Sequence, residues 1–304
     1  MKLAFLFSGQ GAQYEGMGRS LYENDRTYKH FFDLAAHHLD FDLHTVVQDN
    51  EAINETRYAQ PAIYAMSAAL KHALAAHGIE AEGAAGLSLG EYAAYYDRGA
   101  FSFEDGIRLI RHRAICMQNA ARDNPGAMVA VMAARDDVEP IVEAVDGVHI
   151  SNYNLERQVV VGGEKDALAA FKEEAANRGI RRMRPLNTSG AFHTPLMQDA
   201  AEALQSVIEE IELKTPEKGM YLNTTGGRFA GEAEEHMKRQ MVSPVLFYPM
   251  IRTMIADGFD TFLELGPGGV LKKFVEKTDK NVRVYRVEDQ ESLSSTLDVL
   301  KGVR

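Results

Sequence analysis

Cysteine is almost missing from this chain: Cys116 stands alone among 304 residues. One thiol cannot form an internal disulfide or a thiolate-rich zinc site, and it fits a reducing compartment, so a cytoplasmic location is expected. Long apolar runs are missing too. The opening Met1-Lys2-Leu3-Ala4-Phe5-Leu6-Phe7 begins like a signal peptide but stops at Ser8-Gly9-Gln10, short of a usual signal core. No uncharged stretch reaches the ~18 apolar residues that a membrane span needs. Positive charge is in deficit: 33 Lys and Arg against 44 Asp and Glu leave a net charge of -11, the reverse of the basic surplus that nucleic-acid binding requires. Neither nucleic acid nor membrane is an expected partner. No His/Asp/Glu cluster has metal-ligand spacing, and no repeat or low-complexity tract appears. The glycine-rich Gly266-Pro267-Gly268-Gly269 lacks the P-loop lysine and does not have the G-x-G-x-x-G spacing of a dinucleotide site. No metal and no cofactor is therefore expected.

What is present suffices for a large core in about two domains, with 45% hydrophobic residues including 14 Phe and 12 Tyr. Lys2 to Phe7 reads as a buried first strand. Pro61 is placed to open a helix carrying Ile63, Met66, Leu70 and Leu74 at spacings of three and four, which Gly78 ends. Ser102 and Asp105 resemble a capping box starting a helix to about Ala121. After the breaker Asp123-Asn124-Pro125-Gly126 the units shorten to strand, helix, two strands, helix and strand, the last at Arg181 to Leu186. That βαββαβ order is ferredoxin-like. Beyond it, a strand at Tyr221 to Asn223, helices at Glu232 to Gln240 and through Phe247 and Met254, and a strand at Thr261 to Leu265 restore the alternation of a mainly parallel sheet with covering helices. The expected fold class is thus α/β, with a catalytic domain made of residues 1–124 and 188–304 and an inserted ferredoxin-like subdomain at 125–187.

Three places could carry chemistry. Gly86-Leu87-Ser88-Leu89-Gly90 is a G-x-S-x-G turn leading into a helix-prone run, which is where a nucleophilic serine would sit. A bare match arises by chance in roughly one chain in ten of this length, so a plain glycine-softened loop is the competing reading. His193 lies in a loop at a helix start, between Gly190 and Pro195 with Thr194 as N-cap; a lone histidine is more often structural. Arg113 lies beside Leu109, Ile110 and Met117 on a helix, so its guanidinium needs an anion. Periodicity alone favours an internal Asp or Glu.

Taken in order, Gly9-Gln10-Gly11 after the first strand, Gly86 to Glu91, Arg113, and Gly190-Ala191-Phe192-His193 resemble the malonyl-CoA:acyl-carrier-protein transacylase family over nearly the whole chain. Asn152-Tyr153-Asn154, Ser243-Pro244-Val245 and Glu264 to Gly268 also look like its segments. The resemblance implies an α/β-hydrolase-like core and transfer of malonyl from malonyl-CoA to acyl carrier protein through Ser88, with His193 as base. It implies an oxyanion hole from the backbone N–H groups of Gln10 and Leu89, a backbone carbonyl at Leu246 orienting His193, and Arg113, Met117 and Phe192 binding substrate. Leu87 departs from the frequent family histidine before the serine. A monomer is expected. The alternatives are a polyketide acyltransferase, a serine esterase or lipase, in which a Ser-Asp dyad through Asp105, Asp146 or Asp257 stays open, and an inactive carrier-binding module. An α/β-hydrolase would place its histidine late, whereas here His236 alone follows His193.

Overall fold

The computed structural model describes residues 1–302; Val303 and Arg304, the end of the expected 188–304 segment, lie outside the described residues. The described strands are β1 (Leu3–Phe7), β2 (Gly83–Gly86), β3 (Ala127–Val131), β4 (Val148–Leu155), β5 (Gln158–Gly163), β6 (Met183–Pro185), β7 (Thr261–Leu265) and β8 (Arg283–Val287). They form two sheets. One has the order β2-β1-β7-β8 with every pair parallel. The other has the order β4-β5-β3-β6 with every pair antiparallel. The protein is therefore a mixed α/β structure with a parallel sheet between helices. All five residues of β1 and all five of β7 are buried, as strands covered on both faces must be.

β2 consists of Gly-Ala-Ala-Gly because its neighbours leave no room: a Cβ on Gly83 would lie 2.4 Å from the Phe259 ring. The helix Phe103–Asp123 starts as expected, Ser102 accepting from the Asp105 N–H at 3.0 Å. Pro61 does not open its helix. That helix runs from Thr56 to Ala76, with Pro61 inside it. Burial of Thr56, Ala59, Gln60 and Pro61 against the core holds the extra turn, outweighing the one backbone hydrogen bond that proline removes. The strand expected at Tyr221 to Asn223 reduces to isolated bridges, Ala84 with Met220 and Tyr221 with Arg228. The chain turns back there through Gly226 (φ 63°), whose N–H meets the Leu222 carbonyl at 3.0 Å. β8 and the helix Gln290–Gly302 extend the parallel sheet beyond what periodicity indicated.

One tie runs from the small sheet to the chain between the helices Ala233–Val242 and Phe247–Ala256. Tyr153 N–H of β4 donates to Val245 O, and Val245 N–H donates back to Ser151 O, each at 2.9 Å. Among the described residues no helix is long and apolar enough to cross a membrane.

Candidate active site

The loops leaving the carboxyl ends of β1 and β2 face each other, the position where parallel α/β sheets gather ligands. Ser88 lies between β2 and the helix Leu89–Asp97 at φ 53° and ψ -103°, a conformation L residues seldom adopt. The motif glycines are there for space. A Cβ on Gly86 would lie 2.0 Å from the Gly90 carbonyl carbon, and one on Gly90 would lie 2.0 Å from Phe7 O. Asn223 clamps the turn: its Oδ1 accepts from Ser88 N–H and its Nδ2 donates to Gly86 O, both at 2.7 Å. Its own N–H donates to the Glu91 carboxylate.

His193 is buried, also at a positive φ of 61°. Its Nε2 lies 2.6 Å from Ser88 Oγ and its Nδ1 lies 2.8 Å from the carbonyl of Gln240. A hydrogen on Nδ1 donated to that carbonyl leaves the Nε2 lone pair aimed at the serine hydroxyl. Burial, then the Arg113 charge, lowers the His193 pKa to about 4, so the ring is neutral and able to accept a proton at neutral pH. The expected orienting carbonyl at Leu246 is a correction. Leu246 caps the helix Phe247–Ala256 and its oxygen is taken by Met250 N–H at 3.0 Å. Gln240 has a free carbonyl because it lies in the last turn of the helix Ala233–Val242, where intrahelical donors run out.

Arg113 is 1% exposed. Its Nη1 donates to Gln60 Oε1 at 2.6 Å, and its Nη2 donates to Gln240 Oε1 at 3.1 Å and to Ser88 Oγ at 3.2 Å. The guanidinium carbon stands 4.9 Å from the Tyr92 ring centroid, and Nε has no partner among the described residues. The internal carboxylate favoured by periodicity is not what meets it. The fully buried Glu91 turns its oxygens to Asn223 N–H and Gln240 Nε2 instead. Burial pushes the Glu91 carboxyl up to about 8, against those two donors and the Arg113 charge. Arg113 is thus a desolvated cation hydrogen-bonded to neutral oxygens, beside the serine.

The N–H groups of Gln10 and Leu89 have no acceptor among the described residues. The loop carrying Gln10 presses against the serine turn, since a Cβ on Gly9 would stand 2.5 Å from Leu87 O. Gln10, Ser88, Met117, Phe192 and His193 line one cleft of about 310 Å³, to which Asn152 and Asn154 of β4 also contribute. Asp105 pairs with Ser102 and Asp257 with Arg228, and among the described residues no aspartate hydrogen-bonds Ser88. The motifs therefore converge, Leu246 excepted. Sequence reasoning missed Gln60, Asn223 and Gln240. Gln60 carried a signal, a polar residue three before Ile63 on an apolar stripe; Gln240, three after Met237, carried a similar one.

Fold and site together define an acyltransferase. The acyl transferase domain model matches residues 4–295, and the chain belongs to that family. Its relatives bear a narrower name: the malonyl CoA-acyl carrier protein transacylase of Bacillus subtilis (strain 168) is 34% identical over 309 residues, covering 99% of this chain and 98% of that protein. The crystal structure of the malonyl CoA-acyl carrier protein transacylase from Clostridium perfringens is 36% identical with a TM-score of 0.94, covering 100% of this chain and 98% of that one. A malonyl-transacylase in complex with a type II polyketide acyl-carrier protein is 29% identical with a TM-score of 0.91, covering 98% and 99%.

Proposed function

We propose that this protein moves the malonyl group of malonyl-CoA to the phosphopantetheine thiol of acyl carrier protein, through a malonyl ester on Ser88, and so supplies fatty-acid chain elongation. The observation that carries this reading is the buried, carboxylate-free Arg113 within 3.2 Å of Ser88 Oγ. A malonyl carboxylate is the anion it needs, and a guanidinium fork meets a carboxylate at two points. Ser88 Oγ attacks the thioester carbonyl as His193 Nε2 takes its proton. The oxyanion rests on the Gln10 and Leu89 N–H groups. Collapse expels the CoA thiolate, which takes the proton from His193. The carrier thiol then gives its proton to His193, attacks the ester, and Ser88 is reprotonated. Two half-reactions through one ester require ping-pong kinetics and call for no metal or redox cofactor.

The antiparallel order β4-β5-β3-β6 supports reading residues 125–187 as a ferredoxin-like subdomain. We likewise read residues 1–124 and 188–304 as an α/β-hydrolase-like catalytic domain, and the whole as a cytoplasmic monomer. A polyketide carrier as acceptor is the second reading, favoured by the likeness to a transacylase solved with such a carrier. Intact-mass measurement tests both. Malonyl-CoA should add one malonyl group to the protein and none to Ser88→Ala, and holo acyl carrier protein should then remove it. A labelled Ser88→Ala protein would sink the ester; discharge by a polyketide carrier alone would favour the second reading.

A further inference from the structure

Gln10 sits between Gly9 and Gly11, the latter at φ 97°, so its loop has little stiffness of its own. Yet an oxyanion donor works only if it is fixed before the charge develops. The fixing comes from the first turns of the helix Thr56–Ala76. Gln60 Nε2 donates to Gln10 Oε1 at 3.1 Å, and Gln10 Nε2 donates to Thr56 Oγ1 at 2.9 Å. Thr56 and Gln60 are four residues apart and so share one helix face, and they are 2% and 0% exposed. Both ends of one carboxamide are thus held by a rigid, buried element. The Thr56 hydroxyl has a second contact, Ser189 Oγ at 3.0 Å, in the loop that leads to His193. A hydroxyl accepting from Gln10 keeps its hydrogen for Ser189. One oxygen therefore ties the oxyanion loop to the loop that carries the base.

We propose that Thr56 is a positioning residue for the acyl transfer, setting the Gln10 N–H through its side chain; this rests on the malonyl-transfer reading above. Losing an oxyanion donor outright costs on the order of 10² to 10³ in rate. Loosening one should cost about tenfold, without weakening ground-state binding. The test compares full-length wild type, Thr56→Val and Thr56→Ser for the rate of ester formation on Ser88, from malonyl-CoA and from acetyl-CoA. Thr56→Val should lose about tenfold in kcat with both donors and keep its KM, and Thr56→Ser, which restores the oxygen, should recover most of the loss. Unchanged acylation in Thr56→Val overturns the proposal, as does failure of the serine to rescue. A loss confined to malonyl-CoA would mean action through Gln60 and Arg113 instead, and a loss that follows the folded fraction in thermal melts would mean a structural role. Wild type that takes up no acyl group at all would instead end the malonyl-transfer reading, and this inference with it.

Discussion

On the proposed reading, Arg113 sets the preference of the site between acyl donors. A buried charge left without its partner costs roughly 3 to 5 kcal/mol, and here the protein offers carboxamide and hydroxyl oxygens in place of that partner. Arg113→Ala should therefore lower malonyl transfer by about two to three powers of ten. Acetyl-CoA brings no carboxylate, so its transfer should hold or improve, and lysine should rescue malonyl transfer only partly because it lacks the two-point fork. The ratio of the two transfer rates is the measurement. Equal losses for both donors would assign Arg113 to supporting Ser88 and His193 rather than to binding the carboxylate.

Among the elements, the turn between β2 and the helix Leu89–Asp97 has little slack. Gly86→Ala would put a methyl group 2.0 Å from backbone, where no side chain can rotate away. Overpacking of this kind costs about 1 to 3 kcal/mol, so the variant should melt several degrees lower and lose transfer activity. Gly302→Ala, with open space around it, should do neither. Full activity in Gly86→Ala would mean the turn is softer than its contacts indicate. This turn was legible in the sequence because everything that shapes it is local: two glycines, a serine and the helix after them. The capping box at Ser102 was legible for the same reason. Pro61 misled because tertiary burial, which no window of sequence contains, held a turn ahead of it. The acceptor for His193 misled more deeply. It lies 47 positions away at a helix end, and only the packing of the helix Ala233–Val242 against the serine turn decides that Gln240, not Leu246, is the carbonyl within reach.

At the scale of the molecule, the cleft is lined by the loops that follow β1 and β2 and by residues of β3, β4 and β5, and the paired bonds at Val245 join β4 to the segment between the helices that hold Gln240 and Met250. The small sheet is also entered and left by chain that belongs to the large one. The molecule should therefore unfold in one cooperative transition, seen at the same temperature by far-UV circular dichroism and by loss of transfer activity. Two separated transitions would mean the sheets melt independently and the cleft opens before the core fails. The expected βαββαβ order of residues 125–187 was readable from strand and helix periods, whereas this link at Val245 was not, since it joins positions about ninety residues apart.

Ser88 and His193 share a property that periodicity and composition do not reveal: each holds a side chain at a backbone angle that glycine would occupy more comfortably. Glycine at either position would relax the backbone, but at 193 it would also empty a buried space and leave the Gln240 carbonyl without its donor. The contacts that aim the imidazole at Ser88 are therefore the same contacts that hold its backbone out of its preferred region, so the aim and the strain come and go together.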